Sequence, residues 1–145
     1  MGQTLLVRTA LTPEMISAGR RLVLHLDSVG AVFEAAFWLL DEDTGDWHLV
    51  MSSPKRHIDG PKVLYRSVNQ ALSELNLTGL LSIEMISIVD EREPMIKVLS
   101  ERLGRVASVD GVRLDNATVG RVRLAGCFLY RLNLGQAVAA EPSPA

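Results

Sequence analysis

AVFEAAFWLLDEDTGDWHLVMS, residues 31–52, sets two apolar runs that include aromatic residues on either side of an acidic turn carrying one glycine. Short apolar runs bounded by Asp, Thr and Gly are strand signals, and Gly45 can take the positive φ that a tight turn needs. A hairpin symmetric about Asp43 and Thr44 brings Trp38 opposite Leu49 and Leu40 opposite Trp47, with Phe37 opposite Val50 on the other side of the sheet. Both faces of this pair are then apolar. Such a pair belongs inside a sheet rather than at a wetted edge.

Working outward, Thr12-Pro13-Glu14 supplies a capping hydroxyl, a proline suited to the first helical position and an acid for the positive dipole end. Ile16, Gly19, Leu22, Val23 and Leu26 follow near the helical period, and Gly30 offers a left-handed stop, so the first helix is expected over residues 13–29. After the loop SSPKRHIDGPK, Gly60-Pro61 opens a second helix to Leu75, with Val63, Leu64, Val68, Ala71, Leu72 and Leu75 on one side. LLSIEMISIV, residues 80–89, reads as a buried strand closed by Asp90-Glu91-Arg92-Glu93. Pro94 begins a third helix with Met95, Ile96, Leu99 and Leu103 inward and Gly104 as its stop.

In the last third, Leu114, Val119, Leu124, Leu129 and Leu134 recur every five residues, each preceded at two residues by Val112, Ala117, Val122, Cys127 and Leu132. This spacing resembles the pentapeptide-repeat family, whose right-handed β-helix would turn a small residue and a leucine inward from each five-residue face. The preferred reading is an antiparallel meander with turns at Asp110-Gly111 and Ala125-Gly126. The stretch FWLLDEDTGDWHLVMSS, residues 37–53, is also similar to the early β-hairpin of GAF-type sensory domains; the likeness ends with the hairpin and implies neither ligand nor activity. The expected fold is α+β: an antiparallel or mixed sheet of about five to six strands with three helices against one face, in the order α-β-β-α-β-α-β-β(-β). It occupies residues 1–134 as a single domain, and residues 135–145 form a flexible tail.

Composition narrows the function classes. With 145 residues, 48% of them hydrophobic, the chain can bury the core of one domain. A net charge of −2 gives no global attraction to polyanions, so nucleic-acid binding is not indicated. The single Cys127 excludes an intramolecular disulfide framework and a cysteine-built zinc site, and in an apolar strand it is expected to be inert. No apolar segment approaches the roughly 20 residues of a membrane-spanning helix, so a cytoplasmic protein with no membrane partner is expected.

Asp41, Asp43 and Asp46 invite a calcium reading, but Gly45, Asp46 and Ser52 stand where the EF-hand loop needs an acid or amide, a glycine and a glutamate. His25, His48 and His57 lack the helical spacing of a zinc pair, so neither metal nor cofactor is expected. Lys55, Arg56, His57, Lys62 and Arg66 form a polar cluster with Asp59 around the start of the second helix, whose backbone donors could hold an anion. His57 and Asp59 there are a conceivable acid–base pair. Six arginines and no lysines fall after residue 101, and Arg121, Arg123 and Arg131 are candidates for a guanidinium stripe that could meet the acidic turn of a second copy. The leading expectation is a non-catalytic interaction or accessory module that self-associates or binds a partner subunit. The alternative is an enzyme or sensor for a phosphate-bearing small molecule or nucleic acid at the loop preceding the second helix.

Overall fold

A computed structural model describes residues 10–31, 33–53, 60–90, 92–103 and 111–132. Three helices and five strands follow the expected order: α1 (Pro13–Ser28), β1 (Ala35–Leu40), β2 (Trp47–Ser52), α2 (Pro61–Glu74), β3 (Ile86–Val89), α3 (Pro94–Leu103), β4 (Val112–Val119) and β5 (Val122–Leu132). The strands form one mixed sheet in the order β3-β2-β1-β5-β4. β2 and β3 are parallel, and the other neighbours are antiparallel.

The hairpin is the centre of this sheet. Its register pairs Trp38 with Leu49, Leu40 with Trp47 and Phe37 with Val50, as the symmetric turn requires. The turn is closed locally: Asp41 Oδ1 accepts from the Asp43 amide at 2.9 Å, and Gly45, at φ +78°, donates its amide to the Asp41 carbonyl. The apolar character of both strand faces has the expected consequence. β1 is the middle strand and its side chains enter two separate cores.

On one face, Ala36, Trp38, Leu49, Met51, Ile86, Ile88, Phe128 and Tyr130 pack with Leu22, Val23 and Leu26 of α1 and Leu64, Val68 and Leu72 of α2. On the other, Ala35, Phe37, Leu124, Cys127, Leu129 and Leu132 meet Ile96 and Leu99 of α3. The expectation of three helices on one face is thus corrected to two on one face and one on the other. A sheet apolar on both sides needs cover on both.

α1 begins as its sequence implies, with Thr12 Oγ1 accepting from the Met15 amide at 3.1 Å. It ends in a Schellman motif, in which Ala31 donates to the Leu26 carbonyl and Gly30, at φ +80°, to that of Asp27. α2 ends likewise, with Asn76 in the left-handed position and Leu77 donating to Leu72. The segment expected as one long strand divides: Ile83–Met85 is a 3-10 turn, and only Ile86–Val89 pairs with β2. Tyr65 of α2 accepts from the Ile88 amide at 2.9 Å, which occupies a donor at the sheet's outer edge.

Among the described residues, neither the meander turn at Ala125-Gly126 nor a pentapeptide coil is present. β4 and β5 form one antiparallel hairpin closed at Gly120-Arg121, and Ala125 and Gly126 lie inside β5. Glycine is required at position 126 for space, since a Cβ there would stand 2.6 Å from the Trp47 ring. The remaining Asp110 turn signal, Gly104 and the 135–145 tail lie outside the described residues.

α1 is fixed to the sheet by one buried polar chain. The Trp38 indole N–H donates to the Tyr130 hydroxyl at 2.9 Å, and that hydroxyl donates to the Ile16 carbonyl. The Tyr130 ring has room because residue 19 lacks a side chain; a Cβ there would collide with the ring and its oxygen. A register shift opposite Ala36 and Phe37 puts Tyr130 and Arg131 on the same side of β5, so Arg131 forms a two-point pair with Asp27 at 2.6 and 2.9 Å. Replacing an ordinary helical glycine with alanine gains about 1 kcal/mol. For Gly19→Ala the overpacking reverses that sign, and a loss of about 1–3 kcal/mol is expected in urea unfolding followed by tryptophan fluorescence.

Candidate functional site: a half-covered sheet face

Five strands span about 19 Å between their outer axes, whereas a helix with its side chains is about 10 Å across. Two helices can cover one face, and one helix leaves part of the other open. α3 rests against β4 and β5. Beyond it, over β1, β2 and β3, lies a cleft of about 650 Å³. Leu39, Val50 and Val89 form its half-buried apolar floor, and Met95 and Ile96 at the start of α3 form a wall. His48, which faces Leu39 across the hairpin, and Ser87 place polar groups among them.

The rim is acidic. Asp41, Glu42 and Asp43 from the β1–β2 turn and Glu93 beside α3 line the cleft, against a single guanidinium, Arg123. Glu42, Asp43, Glu93 and Arg123 are exposed, so their field is screened by solvent and acts mainly on charged groups that approach closely. Among the described residues, no group of three or more His, Cys, Asp and Glu side chains could hold a metal ion. No helix of the described residues is long and apolar enough to cross a membrane.

The residues singled out by sequence fall in different places. Lys55, Arg56 and His57, with Asp59, lie outside the described residues, while Lys62 and Arg66 are exposed on the first turns of α2. Arg121 occupies the β4–β5 turn and Arg123 stands opposite Thr118. Arg131 is eight residues further along β5, roughly 26 Å at strand rise, and is bound to Asp27 and to the Phe33 carbonyl on the α1 side. The three arginines therefore do not form one stripe; Arg123 alone reaches the cleft. Sequence marked Val50, Met95 and Ile96 as packing residues and not as a site, although the doubly apolar hairpin and the shortness of α3 are the signals that point to one.

Cys127 lies beneath this face with no exposed surface. Burial, with a smaller contribution from Asp115, pushes its thiol from an ordinary 9.0 up to about 12. Burial raises Tyr130 from 10.0 to about 12 as well, against the opposing influence of the Trp38 hydrogen bond and Arg20. Neither group is an activated nucleophile at neutral pH.

No protein-family model, no curated protein and no solved structure matches this chain.

Both raised values favour the protonated, folded form. The stabilisation they give is complete below the unfolded values and is lost as pH climbs from about 9 toward 12 for Cys127 and from about 10 toward 12 for Tyr130. Urea midpoints should therefore fall as pH rises above about 9, and the Cys127→Ser variant should show a later fall. The native thiol should react with an aromatic disulfide reagent only at the rate of unfolding.

Proposed function

We propose that this protein is a non-catalytic interaction module whose cleft over β1–β3 receives a segment of a partner protein that presents apolar side chains flanked by lysine or arginine. The observation that carries this reading is the pairing of a half-buried apolar floor, Leu39, Val50 and Val89, with a rim holding four carboxylates and one guanidinium. The floor gives an apolar anchor a place to leave water, and the rim favours cations over anions in the approaching segment. His48 and Ser87 lie within the floor, where they can exchange hydrogen bonds with the partner's backbone or side chains. The cleft is shallow and its rim is solvated, which fits a transient contact better than a permanent one.

A titration of labelled chain with a short leucine–lysine peptide, and with its leucine–glutamate counterpart, tests this reading. The basic peptide should shift the amide signals of His48, Val50 and Val89, and the acidic one should not. Reversing two rim charges, Asp43→Lys with Glu93→Lys, should raise the dissociation constant about tenfold at low salt and less at high salt. Equal binding of both peptides, or shifts confined to the α1–α2 face, would refute it.

A further inference from the structure

A second surface stands apart from the cleft. Among the described residues β4 is the terminal strand of the sheet, eight residues long, and most of its side chains are exposed. Neither proline nor lysine, the usual devices against edge pairing, occurs in it. Its first five residues read Val112-Arg113-Leu114-Asp115-Asn116, with opposite charges placed symmetrically about one leucine.

Arg113 and Asp115 share a face. Arg113 lies 5.7 Å over the Trp47 ring and reaches Asp115 at 3.3 Å, while Leu114 packs toward the opposite core. Asn116, at φ +50°, then bends the strand out of regular geometry, so the straight stretch available to a partner is the one centred on Leu114.

We infer that β4 pairs antiparallel with β4 of a second copy of this chain, in a register centred on Leu114 that sets Arg113 of each copy opposite Asp115 of the other. Residues facing each other across an antiparallel pair must share a sheet face, so a two-fold pairing has to centre on a residue. A centre at Arg113 opposes two arginines, and a centre at Asp115 opposes two aspartates; both are repulsive. A centre at Asn116 falls on the bend. Leu114 is the centre that makes both charge contacts attractive, turning the intrastrand pair into two interchain ones and joining the two sheets into one of ten strands.

The interface is short, so association is weak and depends on concentration. Analytical ultracentrifugation across the micromolar range tests it with three variants of exposed residues. The wild-type chain should sediment as a monomer–dimer equilibrium. Arg113→Asp alone and Asp115→Arg alone each place like charges opposite one another, and should weaken the dimer about tenfold or more. An equimolar mixture of the two single variants restores opposite charges across the axis and should recover the dimer, as should the double variant R113D/D115R. Circular dichroism matching the wild type establishes that each variant is folded. A wild-type chain that stays monomeric, single variants that associate as well as the wild type, or failure of the mixture and the double variant to recover would each overturn the proposal. The cleft titration is read separately, since both charges lie away from the β1–β3 face.

Discussion

The structure turns on a mismatch of widths: the sheet is apolar on both faces, and the three helices of the described residues cannot cover both. α1 and α2 together close one face over Trp38, Leu49, Met51 and Tyr130. α3 alone closes the β4–β5 side of the other and leaves Leu39, Val50 and Val89 half exposed. The opening follows from a single ten-residue helix standing where two would be needed.

The closed face is held by more than apolar packing. Tyr130 spans from Trp38 to the backbone of α1 and passes where Gly19 has no side chain, so the donor, the acceptor and the space must all be present together. A buried indole N–H without its acceptor would cost about 1–3 kcal/mol, which makes the position of α1 on the sheet specific rather than approximate. Arg131 adds a second tie at the end of α1 through Asp27. These connections hold β1, which carries Leu39 of the cleft floor, against α1 on the opposite face, while the cleft's carboxylates sit on a turn and beside a helix start.

Much of this was legible in sequence. The hairpin register followed from the symmetry of one turn, and Thr12 and Gly30 marked both ends of α1 because capping is a local property of a few residues. The element order was legible for the same reason. The distribution of helices over the two faces was not, since a strand apolar on both sides does not say which helix lies where. Gly126 misled because glycine serves turns and close approaches alike, and here the Trp47 ring, distant in sequence, decided between them. The irregularity at Tyr130 and Arg131 carried no local mark, yet it turns Arg131 toward Asp27 of α1. For the same reason the cleft was not legible: its residues come from four strands, one helix and a turn, and their meeting is a property of the tertiary fold.

Hydroxyl-radical footprinting of the native chain with residue-level readout tests the open half-face most directly. Val50, Val89 and Met95 should be modified readily while Leu49 and Met51, neighbours on the same strand as Val50 but turned toward α1 and α2, remain protected. Equal protection of Val50 and Val89 with Leu49 and Met51 would mean that the second face is closed, and the account of an incomplete helical layer would fail.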